Sequence, residues 1–293
     1  QGSQYVSAYQ SFAWFYAVNT GQISIRNGMR GPSGVLVSDQ AGGLDALAQA
    51  RRQIRKGTRL IVSGGVDASL CPWGWVAQLT SGRLSSVDDP DRAYLPFDQA
   101  AAGHVAGEGG ALFIVEDADA ARERGAARIY GEIAGYGSTF DPRPGSGGEP
   151  RLRHAIELAL ADAGLAPEHV GVVFADAAAT LELDRIEAEA ISAVFGPYGV
   201  PVTAPKTMTG RLYSGGASLD VAAALLCIRD GVIPPTTNVS PDPSYQLDLV
   251  TTARQAEVGT ALVLARGYGG FNSALIVRRP AADAGHGPRK ETK

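Results

Sequence analysis

The hydrophobic pattern changes period along the chain, and each change marks an element. Short apolar runs read as buried strands: 35–37 (VLV), 59–63 (RLIVS), 110–116 (GALFIVE), 129–136, 171–175 (GVVFA), 201–204, 260–265 and 273–277. Between them the spacing lengthens to that of a helix. Leu44, Leu47 and Ile54 share one face of 44–54, which carries a basic last turn, and helices are also predicted over 118–124, 152–163, 182–195 and 218–229. Residues 72–87 read as an irregular helix and loop. Alternating strands and helices place the chain in the α/β class.

Two features organise this series. The Pro/Gly-rich stretch 138–150 interrupts it and reads as a connection between two halves, 1–137 and 151–279, followed by a polar, disordered tail over 280–293. The halves also rhyme. Each runs strand, Gly-bearing corner, helix, first through 35–57 and again through 201–231. The chain starts without Met inside patterned sequence, so the first half is expected to be incomplete. Near that start Tyr5, Tyr9, Phe12 and Phe15/Tyr16 recur at helical spacing. A helix over 5–20 would be buried or face another subunit, or its rings would line a cavity for an apolar ligand.

Composition narrows the function classes. With 293 residues the chain can bury a full core, and a net charge of −4 gives no basic field for nucleic acid or anionic lipid. No run is long and apolar enough to read as a membrane span or signal peptide, and a cytoplasmic location is expected. Cys71 and Cys227 do not make a disulfide framework. Cys227 falls on an apolar helix face and Cys71 before Pro72, and neither shows the setting of a nucleophile.

The corner at 38–43 (SDQAGG) carries the most chemistry. Strand, sharp turn and helix N-terminus are how α/β enzymes present a nucleophile to an anion-stabilising site. The tip here is Gln40, whose carboxamide is neutral, weakly nucleophilic and not activated by a neighbouring base.

Several blocks together resemble the thiolase-fold condensing enzymes. YLPFDQAAAGHVAGEGGALFIVED (94–117) is similar to the ketosynthase signature, and GYGGFNSA (267–274) to that family's C-terminal Gly-rich loop, with Tyr268 in the Phe position. PPTTN (234–238) and PKTMTG (205–210) also match. The resemblance implies a thiolase-like α-β-α-β-α layered fold of two related halves. It also implies where a working ketosynthase would carry a Cys and two His. Here those positions are Gln40, Asp176 in FADAAAT (174–180) and Arg211 in PKTMTGR (205–211), whereas Lys206 and Glu108 are retained.

That pattern, with YQSFAWFYAVNTGQISIRNGMRGPS (9–33) and VSDQAGG (37–43), resembles the chain length factors, the ketosynthase beta subunits of bacterial type II aromatic polyketide synthases. The resemblance implies a non-condensing partner that pairs with an active ketosynthase alpha subunit and limits polyketide chain length in antibiotic biosynthesis. It implies no catalytic residues and no metal or cofactor, the acyl chain riding on the phosphopantetheine of a separate acyl carrier protein. Phe12, Phe15, Tyr16, Gln40 and Tyr268 would face the interface or tunnel, with Gln40 at the mouth of a pocket.

Two other readings have specific supports. A malonyl-carrier-protein decarboxylase would supply a starter unit, its oxyanion hole made of the backbone N–H groups of Gln40 and Tyr268; its relatives keep the two histidines that this sequence lacks. An unrelated hydrolase or dinucleotide enzyme would need a G-x-S-x-G or a complete G-x-G-x-x-G after a strand, and neither is present. His104 and Glu108 stand four apart without a third metal ligand at useful spacing.

Overall fold

A computed structural model describes Tyr9, residues 15–143 and residues 145–280. Its helices are α1 (Val18–Arg26), α2 (Gly42–Arg55), α3 (Pro72–Thr80), α4 (Ala118–Glu123), α5 (Leu152–Ala163), α6 (Leu181–Phe195) and α7 (Ser214–Asp230). The longer strands are β1 (Leu60–Ala68), β2 (Glu108–Glu116), β3 (Glu132–Phe140), β9 (Thr260–Arg266) and β10 (Phe271–Arg278). Shorter ones are β4 (Val172–Phe174), β5 (Pro201–Thr203), β6 (Val232–Ile233), β7 (Asp248–Leu249) and β8 (Arg254–Gln255).

Six strands form one sheet in the order β3-β10-β9-β4-β5-β7. β10 runs antiparallel to β3 and β9, whereas β9, β4, β5 and β7 are mutually parallel. The central strands are apolar throughout because both faces of this sheet are covered. Period-two alternation divides their side chains between two cores. Val173, Leu262, Leu264, Ala274 and Ile276 pack under α5 and α6. Val172, Phe174, Ala261, Val263, Leu275 and Val277 face α2 and α7.

α5 meets the sheet through Leu152, Ala155, Ile156, Ala159 and Leu160, an i, i+3, i+4 stripe, and it stops at Gly164 in the left-handed conformation (φ 64°). α7 is buried on two sides because a second sheet, the antiparallel hairpin of β1 and β2, packs on its other side with α2. Four layers of an α-β-α-β-α stack are thereby seen among the described residues. The outer face of the hairpin is open, with Leu112 and Ile114 exposed.

Several sequence expectations change in the folded chain. Residues 35–37 form no strand, and Val35, Leu36 and Val37 are exposed. Apolar content alone does not make a strand; it needs a hydrogen-bonding neighbour, and no described strand runs beside this segment. β3 joins the sheet of the C-terminal half through β10, so the chain changes sheets between Glu116 and Glu132. The expected break at 138–150 falls after that change. In the aromatic stretch Tyr5 and Phe12 lie outside the described residues. Tyr9, Phe15 and Tyr16 are exposed rather than buried in this chain, and the described helix, α1, begins only at Val18. The tail beyond Pro280 also lies outside the described residues.

Candidate functional site

Three segments converge where the sequence places its corner: 38–43, the start of α7, and the turn 267–270 between β9 and β10. Their backbones touch. A Cβ on Gly43 would lie 2.5 Å from the Ser214 carbonyl oxygen, and one on Gly267 would lie 2.5 Å from that of Ser38. Only glycine fits either place. The corner is a turn of 3₁₀ helix, Asp39–Ala41, running directly into α2.

Gln40 is buried, 8% exposed, with Oε1 directed toward Gly216 in the first turn of α7 (3.8 Å to an ideal Cβ there). Asp39 beside it adopts φ 52°, a region that favours glycine, and its Oδ2 accepts the Tyr268 amide proton at 2.6 Å. The left-handed backbone costs an aspartate about 1 kcal/mol. A hydrogen bond to a charged acceptor contributes roughly 1.5–3 kcal/mol, of the same order as that strain, so the contact offsets it. The amide expected to serve as an oxyanion donor is therefore engaged by the chain itself. The Tyr268 ring is exposed, with the Arg83 guanidinium 5.1 Å from its centroid.

Below the corner, Asp45 of α2 gathers three hydroxyls: Ser38, Tyr136 at 2.6 Å and Ser273 at 2.5 Å. Burial, reinforced by the Asp45 charge, pushes the Tyr136 hydroxyl up to about 12. Ser38 is the hydroxyl next to the corner, and its described partner is a carboxylate rather than an imidazole. That carboxylate is shared with the hydroxyls of Tyr136 and Ser273.

Next to the corner lies a buried cluster of charges. Arg211 donates from Nη2 to both Asp176 carboxylate oxygens, at 2.9 and 3.1 Å, and from Nη1 to the Asp176 carbonyl oxygen. Lys206 pairs with Asp220 at 2.7 Å and donates to the carbonyls of Ala175 and Asp176 at 2.7 and 3.1 Å. Burial opposes the charge on Asp176, but Arg211 and then Lys206 hold its carboxyl below the usual range. The Arg211 guanidinium is likewise desolvated, yet Asp176 keeps its pKa above the ordinary value. Asp220 shifts upward because burial outweighs Lys206.

Two carboxylates shape the loop over this cluster. Glu187 accepts the amides of Asp176 and Ala177 at 2.7 and 2.8 Å, and Asp184 those of Phe97 and Ala179 at 2.9 Å each. Ala177 and Ala179 have φ near +50° (52° and 55°), so the bonds to the amides of Asp176, Ala177 and Ala179 hold a backbone path that alanine does not favour. Burial, then the charge of Glu187, pushes Asp184 up to about 7.

The sequence signal did not place Tyr94 and His104 here. Tyr94 donates to the Ala177 carbonyl oxygen at 2.8 Å, and its ring meets His104 edge-on with centroids 6.4 Å apart. His104 is buried with Nδ1 unpartnered; burial, then the Arg211 charge, lowers its pKa to about 3. A neutral imidazole beside a guanidinium is neither a base near pH 7 nor a metal ligand with a companion, since Glu108 at the start of β2 is exposed. Among the described residues no group of three or more His, Cys, Asp or Glu is placed to hold a metal. A cleft of about 690 Å³ is lined by Leu181, Glu182, Arg185, Glu189, Ser192 and Tyr245 among others, and Gln40 is not part of it.

This is a condensing-enzyme scaffold with an elbow that lacks a nucleophile and a neighbouring space filled by an ion pair. Known proteins share the scaffold. The family models "Beta-ketoacyl synthase, N-terminal domain" and "Beta-ketoacyl synthase, C-terminal domain" match residues 1–121 and 130–240. The ketoacyl synthase beta subunit of the tetracenomycin polyketide synthase of Streptomyces glaucescens is 64% identical over 281 residues, 95% of this chain and 69% of that protein. Among solved structures, a type II polyketide synthase acyl-carrier protein in complex with its ketosynthase bound to the hexaketide superposes with a TM-score of 0.88 at 28% identity. That match covers 94% of this chain and 70% of the other. The ishigamide ketosynthase/chain length factor gives a TM-score of 0.80 at 30% identity, covering 89% and 66%. The chain belongs to the beta-ketoacyl synthase family, on the branch of the beta subunits, the chain length factors.

Proposed function

We propose that this chain is the non-condensing, ketosynthase-like partner of a type II polyketide synthase: it pairs with the active ketosynthase subunit and sets how far the poly-β-ketone grows. The observation that carries this reading is the Arg211–Asp176 pair. It occupies the two positions where the resemblance calls for imidazoles, beside an elbow whose tip is Gln40. A guanidinium cannot act as a base near neutrality, and a carboxylate tied to it cannot donate to an enolate. What is left is a scaffold with a shape and a surface.

The growing acyl chain would be carried on the phosphopantetheine of a separate acyl carrier protein, and this subunit would need no cofactor of its own. Phe15, Tyr16 and Tyr268 are apolar groups exposed on this chain, as tunnel or interface residues would be before a partner covers them. Phe12 would join them. No helix among the described residues is long and apolar enough to cross a membrane, in keeping with work in the cytoplasm beside the carrier protein.

Co-expression with a type II ketosynthase alpha subunit tests the reading. The expected result is a one-to-one complex by native mass spectrometry that releases a polyketide of defined length, with no product from either subunit alone. Recovery of this chain only as a self-associated species, with the ketosynthase making the same product in its absence, would sink the reading.

A further inference from the structure

We propose that Asp39 is a specificity-determining residue of this subunit: its carboxylate occupies the amide of Tyr268 and so denies the corner to acyl thioesters.

A thioester bound at such a corner is held by N–H groups aimed at its carbonyl oxygen, which gains charge when a nucleophile attacks. In this chain the Tyr268 N–H already has an anionic acceptor 2.6 Å away, supplied by the residue next to the tip. The contact is built in rather than incidental. Asp39 keeps a positive φ of 52° to make it, where glycine would sit without strain. The turn that carries the amide is also fixed from two sides. Gly267 packs against the Ser38 carbonyl so closely that a Cβ would lie 2.5 Å from it, and Arg83 stacks over the Tyr268 ring at 5.1 Å. An amide pinned this way does not turn toward an incoming acyl group, and a tethered carboxylate competes at high local concentration. Loss of the thiol at position 40 is thus accompanied by a second, independent block.

The test introduces a reporter thiol by Gln40→Cys in the complex with the ketosynthase subunit, each subunit's mass being read separately. The probe is hexanoyl N-acetylcysteamine. The thiolate sulfur attacks the thioester carbonyl, a new C–S bond forms, and N-acetylcysteamine leaves as a thiolate that takes up a proton. Iodoacetamide, whose alkylation builds no oxyanion, reports the intrinsic reactivity of the same thiol. With Asp39→Gly added, the acylation rate divided by the alkylation rate rises at least tenfold. With Asp39→Asn, whose amide oxygen still accepts from Tyr268, that ratio stays within about threefold of Gln40→Cys alone. Equal ratios for Asp39 and Asp39→Gly would overturn the proposal, as would an Asp39→Asn ratio as high as that of Asp39→Gly, which would assign the effect to charge. As a readout without the thiol, Asp39→Gly in the otherwise unchanged chain speeds hydrogen exchange of the Tyr268 amide at least tenfold; unchanged exchange rejects the idea. The exchange measurement needs no ketosynthase subunit, so the partner assignment can fail while this one holds.

Discussion

The Arg211 guanidinium lies 2.9 Å from one carboxylate oxygen of Asp176 and 3.1 Å from the other, with both side chains almost wholly buried. Removing one member strands the other's charge in a low-dielectric interior. Arg211→Ala is therefore expected to destabilise the chain by about 3–5 kcal/mol, and Arg211→Met with Asp176→Leu by markedly less. Urea unfolding of the two variants side by side measures the difference.

The disabled elbow gives a second expectation. Gln40→Cys alone yields no condensation, because the added sulfur finds Arg211 and Asp176 where imidazoles would assist and the Tyr268 amide already taken. Gln40→Ala lowers the output of the complex only modestly if the carboxamide is structural. Product analysis of the complex measures both; condensation with a ketosynthase partner disabled at its own nucleophile would refute the first.

Decarboxylation should fail for the same reason. Purified chain incubated with malonyl-carrier protein is expected to release carbon dioxide no faster than the blank, since Asp176 and Arg211 stand where two imidazoles would stabilise the enolate and the Tyr268 amide is already engaged.

His104 also links stability to pH. The unfolded chain protonates it below roughly pH 6.5, whereas the folded chain does so only near pH 3. Between these values the unfolded state binds the extra proton, so this group's contribution falls by about 1.4 kcal/mol for each pH unit of acidification. Asp184 acts with the opposite sign. Its folded pKa is raised to about 7, so its contribution is present below the unfolded carboxyl value near 4 and is lost as pH rises toward 7. Comparing unfolding midpoints at pH 7.5 and 5.5 for the parent and His104→Phe isolates the histidine: the parent should lose more stability on acidification than the variant.

Close backbone packing at the corner gives a structural check. Gly43→Ala places a Cβ 2.5 Å from the Ser214 carbonyl oxygen and 2.9 Å from the Ser218 amide nitrogen, neither of which is a flexible side-chain end. A loss of roughly 1–3 kcal/mol in thermal or urea unfolding is expected. No change would mean that α2 and α7 are free to separate.

Much of this molecule is written in local pattern. Helix 152–163 follows from its apolar stripe and its terminal glycine, and β9 and β10 follow from continuous apolar runs around a Gly-rich turn. The identities of Gln40, Asp176 and Arg211 already exclude a thiol or imidazole at those three positions, since side-chain chemistry does not depend on the fold. Pairing partners and desolvation do depend on it. Segment 35–37 carries a strand's composition and is not one, because no described neighbour hydrogen-bonds to it. β3 belongs to the sheet of the C-terminal half because β10 lies beside it. His104, at a separation of 107 residues from Arg211 in sequence, is held far below its ordinary pKa only because folding buries the two together. Asp39 is one polar residue in a polar turn until the chain returns 229 residues later to set the Tyr268 amide against it. The sequence determined which groups are available; tertiary contact decided which of them are already in use.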